Sequence, residues 1–258
     1  MTQVKTISLD SCHPMQVPCA DCPIRYRAVC ASCEAGDLDR LDASKYYRRY
    51  QAGQTVALAG ERMEFVASVV SGVAGLSQTM EDGRTQMVGL LLPSDFLGRP
   101  GRAVAAYDVT ALSDLLLCCF RRKPFEDLLR SNPRISGRLL DMTLDDLDAA
   151  REWLLLLGRK SAREKIASFL VILARRTAAL RQADPAEVPM DGIDIELPLT
   201  REAMADYLGL TLETVSRQIS ALRRDEVIRL SGKRQVIVPD FARLVAESGD
   251  DADGGLPI

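Results

Sequence analysis

The 258-residue chain contains no apolar run near the ~20 residues that a membrane-spanning helix needs, so no membrane partner is expected. Met1–Asp10 lacks the basic-then-apolar pattern of a secretion signal, which places the expected location in the cytoplasm. Histidine is nearly missing. His13 stands alone, and no histidine-dependent catalytic arrangement is available beyond it. Excess positive charge is missing too: 33 Lys and Arg against 36 Asp and Glu leave a net charge of −3. Any contact with nucleic acid must therefore come from one basic face, not from the chain as a whole.

What is present fits a soluble protein of two domains, each with its own core. Seven cysteines are an odd number, and a reducing compartment disfavours structural disulfides. Cys12, Cys19, Cys22, Cys30 and Cys33 crowd the first part of the chain, and Cys118 and Cys119 stand side by side much later. Such clustering points to a metal site. Cys19-x2-Cys22 can share one metal or cluster, and a third cysteine in a short loop adds a third corner. Cys30 and Cys33 compete for that corner, with Cys12 and His13 as weaker candidates. A fourth ligand must come from elsewhere, and on a strand only one of Cys118 and Cys119 can face the site. Zinc is the chemical rival, because Cys19-x2-Cys22 with Cys30-x2-Cys33 could form an all-cysteine tetrahedral site.

Residues 1–40 show no convincing regular pattern. From about Tyr46 to Phe120, short apolar runs alternate with glycines: Gln54–Leu58, Phe65–Ser71, Val73–Thr79 and Thr85–Leu92. These predict an antiparallel barrel or roll, with Glu81-Asp82-Gly83-Arg84 as a hairpin loop. Pro124 to about Leu157 reads as helical. Leu140, Leu147 and Leu154 repeat every seven residues, and Thr143, Ala150 and Leu157 fall between them, which predicts a dimer seam. Asp141, Asp145, Asp146 and Asp148 narrow the apolar stripe. Lys160–Arg176 is a second amphipathic helix, Gln182–Asp194 a loop, and Ser248–Ile258 a disordered acidic tail.

Leu197–Pro239 carries the most specific pattern. Thr200 can cap a helix to about Leu208, Gly209 makes a turn, and Thr211 can cap a second helix to about Arg224. Val227–Leu230 and Gln235–Val238, joined by Ser231–Arg234, form a hairpin wing. The outer face of the second helix holds Glu213, Thr214, Ser216, Arg217 and Ser220. Arg217 is suited to guanine and Glu213 to cytosine, and their spacing of four lets them orient each other. Arg201, Lys233 and Arg234 are candidates to hold phosphates. The bland alternative is a solvated surface helix.

This order of parts resembles the CRP/FNR regulators over about residues 19–245. The expected fold is α+β: an N-terminal antiparallel β-roll (a cupin-like jelly roll), a long dimerisation helix and a C-terminal winged helix-turn-helix. The expected division is 1–40 cluster-binding, 41–125 β-roll, 126–158 dimerisation helix, 159–247 DNA-binding and 248–258 tail. Glu213-Thr-Val-Ser-Arg217 is similar to the E-x-x-S-R recognition pattern of the FNR branch. The resemblance implies double-stranded DNA with TTGAT half-sites, a homodimer, and RNA polymerase contact through Glu81–Arg84. It also implies a 4Fe–4S cluster on Cys19, Cys22, Cys30 and a distant cysteine, for which the Leu117-Cys118-x-Phe120 context favours Cys118. Cyclic-nucleotide sensors of this family keep a glutamate and an Arg-Ser pair. Neither occurs in Phe96–Thr110, so no cyclic nucleotide is expected. The implied function is an oxygen-responsive transcription regulator. A cysteine-dependent redox enzyme is the reading from another class, and it would need a low-pKa thiolate.

Overall fold

The structure, a computed structural model, describes residues 17–181, 189–232 and 234–250. Cys12, His13, Lys233, residues 182–188 of the expected loop and residues 251–258 of the expected tail lie outside them.

The roll is built from two four-stranded antiparallel sheets. One holds β1 (Lys45–Tyr50), β8 (Leu115–Arg121), β3 (Phe65–Ser71) and β6 (Phe96–Leu97) in that order. The other holds β2 (Thr55–Ala57), β7 (Asp108–Ala111), β4 (Ala74–Thr79) and β5 (Thr85–Leu91). Alternation decides which side chains fill the roll. On β8, Leu115, Leu117 and Cys119 join the interior core, while Leu116, Cys118 and Phe120 face a second core outside it. The expected strands are present to within two residues at each end, and Gly83 takes a φ of +86° in the β4–β5 hairpin.

Gly72 sits where β3 turns into β4 at a φ of +81°, and a Cβ there would collide with the Asp114 carbonyl oxygen. Gly72→Ala should cost roughly 2–5 kcal/mol, the sum of left-handed strain and forced displacement, read as a fall in the urea midpoint at unchanged slope.

Three expectations need correction. Residues 1–40 do not end without pattern, because α1 (Ala35–Ser44) begins inside them, opened by a capping box between Glu34 and Asp37. The helix expected from Pro124 is two helices, α2 (Arg122–Ser131) and α3 (Pro133–Arg159). The break comes at Asn132. The following proline disfavours a helical backbone there, and the Asn132 side chain instead accepts from the Arg134 and Ile135 amides to start α3. The acidic tail does not begin loose at Ser248. That residue closes α7 (Phe241–Ser248), its buried hydroxyl donates to the Val245 carbonyl, and Asp250 pairs with Lys160 at 2.5 Å.

The C-terminal domain packs α4 (Ala162–Arg181), α5 (Arg201–Leu208), α6 (Leu212–Arg224) and α7 around one apolar core. Its sheet is β10 (Arg229–Ser231), β11 (Gln235–Val238) and β9 (Ile193–Glu196). β9 occupies the end of the expected loop, where Ile193 and Ile195 alternate inward. Thr200 and Thr211 cap α5 and α6 as expected, each accepting from a backbone amide three residues on. Gly209 ends α5 at a φ of +62°, which turns the chain into α6 without the strain a side chain would bring. The two domains are joined across α3 by an ion pair, Asp95 to Arg176 at 2.8 Å, both largely buried.

Candidate metal centre and nucleic-acid interface

The cysteine loop folds because its apolar residues have a place to go. Ile24, Ala28 and Val29 are buried against Val66, Val70, Leu116 and Phe120 of the roll's outer face and against Ile135 of α3. Arg25 fastens the turn from inside, its guanidinium donating to the carbonyls of Cys30 (2.6 Å), Ala31 (3.0 Å) and Cys33 (2.8 Å). The long helix holds the same loop from outside. Arg138 donates to the Arg27 carbonyl at 2.5 Å, and Arg134 pairs with Glu34 at 2.8 Å.

This docking brings Cys19, Cys22, Cys30 and Cys33 into the core that Cys118 faces from β8. Ionisation of Cys118 is opposed by burial and by the neighbouring Cys22 and Cys19, and that of Cys30 by burial and by Cys22, Cys33 and Cys19. Cys119 points the other way, fully buried in the roll beside the Leu117 carbonyl. Cys33 is buried in the same core, and its amide donates to the Cys30 carbonyl at 3.1 Å. Burial pushes the Cys19 thiol up to about 11 and Cys30 to about 12, and raises Cys22, Cys33, Cys118 and Cys119 as well. No described cysteine is therefore the low-pKa thiolate that a redox enzyme would need.

The donor set suits an iron–sulfur cluster. Thiols in an apolar pocket are soft ligands shielded from water, and a four-iron cube spreads them over separate corners. A single zinc ion would draw four sulfurs to ~2.3 Å of one point.

On α6, Val215, Ile219 and Leu222 are buried, and Glu213, Ser216, Arg217 and Ser220 are exposed. The expected Glu213–Arg217 pair is not formed. Arg217 Nη2 instead donates to Thr214 Oγ1 at 3.4 Å, and Thr214 is held by the cap residue Thr211. Glu213 lies in the first turn, where its own backbone amide and the Thr211 hydroxyl keep its carboxyl below the usual range. Arg234 is exposed on the wing, and Arg201 is half-buried with Nη1 3.8 Å from Met204 Sδ. Sequence reasoning missed Arg229, exposed on β10 beside Arg234's turn; its alternation with buried Ile228 was the available signal.

The expected seam is largely open. Leu140 (59%), Leu147 (46%) and Leu154 (72%) stand exposed on α3, as does Ala150. Leu157 is half-buried against the C-terminal core, and Leu144, outside the expected stripe, is 51% exposed.

The chain is 68% identical over 240 residues to the transcriptional activator protein FnrL of Cereibacter sphaeroides, spanning 93% of this chain and 95% of that one. It belongs to the CRP/FNR family. The family's Crp-like helix-turn-helix domain matches residues 164–247, and its cyclic nucleotide-binding domain matches residues 47–132. The solved structure of FixK2 from Bradyrhizobium japonicum superposes with a TM-score of 0.68 at 29% identity, covering 78% of this chain and 96% of that one. A CooA mutant from Carboxydothermus hydrogenoformans, at 22% identity and a TM-score of 0.63, shares the fold over 81% and 90% of the two chains. Membership makes the protein a DNA-binding transcription regulator and not an enzyme. Among the described residues no helix is long and apolar enough to cross a membrane.

Proposed function

We propose that this regulator responds to oxygen through a 4Fe–4S cluster held by Cys19, Cys22, Cys30 and Cys118. It works in the cytoplasm and reads TTGAT-type palindromes as a homodimer. The observation that carries this reading is the apolar core in which Cys118 meets the cysteine loop, with Cys19, Cys22, Cys30 and Cys33, closed by the grip of Arg134 and Arg138 from α3; the choice of Cys30 over Cys33 follows the family resemblance. When bound, such a cluster supplies an oxygen-labile, redox-active centre. The chain's own residues do the rest. The loop ties strand β8 to α3, and α3 carries Leu140, Leu144, Leu147 and Leu154 toward a second copy. Leaving that apolar stripe in water is unfavourable, so a partner helix is its natural cover. A dimer sets two α6 helices one DNA turn apart. Cyclic nucleotide is not part of the reading, because Arg99–Thr110 offers neither the glutamate nor the Arg-Ser pair.

The deciding experiment is an anaerobic visible spectrum with iron and acid-labile sulfide analysis. Broad visible absorption that bleaches in air, together with falling affinity for a TTGAT palindrome, is the expected result. A colourless protein carrying stoichiometric zinc would overturn the cluster. Leu147→Glu should leave the loaded protein monomeric in sedimentation, because it places two like charges across a thin seam.

The Met80–Arg84 tip projects from the roll, with Asp82 accepting from Arg84 at 2.8 Å. RNA polymerase contact is assigned to it. Charge reversal at Glu81 should lower transcription while leaving DNA affinity intact, and parallel loss of both would point to misfolding.

A further inference from the structure

Two cations face the cysteine pocket, and they do different things. Arg25 gives its guanidinium to loop carbonyls. Lys45 reaches sulfur: its Nζ lies 3.6 Å from Cys19 Sγ, within the range of a hydrogen bond to sulfur. The same ammonium pairs with Asp42 at 2.6 Å and donates to the Val17 carbonyl, and its side chain is only 7% exposed. Lys45 opens β1, paired with Phe120, and two residues later Tyr47 pairs with Cys118. One strand pair thus sets the positions of both the cation and the distant cysteine. Asp42 supplies the opposing charge from α1 and also accepts the Cys19 amide at 2.9 Å.

We propose that Lys45 and Asp42 form a charge couple that positions Cys19 and sets the electron affinity of the cluster assigned to this pocket. The proposal rests on the cluster reading. Four thiolates round a doubly positive core make a dianion, and one added electron makes it a trianion. A buried ammonium bonded to one sulfur favours the more negative state, and a neighbouring carboxylate disfavours it. The same geometry holds Cys19 in the metal-free chain, with Lys45 donating to its sulfur and Asp42 accepting from its amide.

The test uses the full chain in two forms. In the anaerobically reconstituted protein, reductive titration with dithionite as the one-electron donor reads the midpoint potential. Lys45→Gln should shift it down, Asp42→Asn should shift it up, and Lys45→Arg should restore most of the loss. In the metal-free protein, iodoacetamide alkylation at fixed mildly alkaline pH is read at the Cys19 peptide by mass spectrometry. There Lys45→Gln should slow alkylation several-fold and Asp42→Asn should accelerate it. The opposite signs matter, because loosening of the loop would move both variants the same way. Shifts of one sign, or no shift in either variant, overturn the proposal. If even the unaltered protein takes up no iron, the cluster reading fails, and the alkylation arm still decides whether Lys45 acts on Cys19.

Discussion

Cys118→Ser is expected to leave the anaerobically purified protein colourless, with iron and acid-labile sulfide at background, whereas Cys119→Ser keeps both. The two residues are neighbours in sequence and share a buried strand, so composition and exposure do not separate them. Strand alternation does. Cys118 joins the core that holds Cys19, Cys22, Cys30 and Cys33, and Cys119 fills the interior of the roll. Serine keeps the volume of either position but is a poor ligand for iron. At Cys118 it removes one corner of the site. At Cys119 it places a hydroxyl near the Leu117 carbonyl, where the thiol already sits at 3.9 Å, and the cost falls on stability alone. Cys19→Ser, Cys22→Ser and Cys30→Ser should behave like Cys118→Ser, and Cys33→Ser should retain the cluster. Iron retained by Cys30→Ser and lost by Cys33→Ser would move the third corner to Cys33.

Arg217→Ala should cost about 1–3 kcal/mol on a TTGAT palindrome and little on a scrambled duplex, a loss of roughly 5- to 150-fold in specificity. The arginine stands exposed on the outer face of α6 and is steered by Thr214, whose hydroxyl is itself fixed by the helix cap. That chain of contacts makes a second expectation. Thr214→Val should weaken discrimination in the same direction by a smaller amount, since the guanidinium stays but loses its guide. Arg234→Ala on the wing should instead weaken all sequences alike and lower the salt slope by about one. Salt titrations of each variant on both duplexes separate a base contact from a phosphate contact. Equal loss on the two duplexes for Arg217→Ala would mean that this helix does not read bases.

The parts legible in the sequence are those written in local interactions. A cap such as Thr200 or Thr211 bonds an amide three residues away, and a glycine at a positive φ acts on its own backbone. The helix-turn-helix could therefore be read from Leu197–Pro239 directly. The strands of the roll were legible for a related reason, since β-type runs and glycine turns are also short-range features. The seam was partly legible. Its seven-residue repeat predicted Leu140, Leu147 and Leu154, but whether an intermediate position faces out depends on where the other domain packs, and that put Leu144 outside and Leu157 half under. The Glu213–Arg217 pair failed because spacing permits a contact without choosing among competitors, and Thr214 and the helix N-terminus each took one partner.

The sequence by itself determined the family, the order of the parts and the candidate cysteines. Only the tertiary structure decided that Cys118 and not Cys119 faces the cysteine loop, that Arg134 and Arg138 of α3 hold that loop, and that Lys45 reaches the Cys19 sulfur. The reason is separation along the chain. Cys22 and Cys118 are brought together only when β8 has paired with β1 and β3 and the loop has buried Ile24 and Val29 against them. No pattern of neighbours encodes a meeting across that distance; it exists only once the sheet has closed.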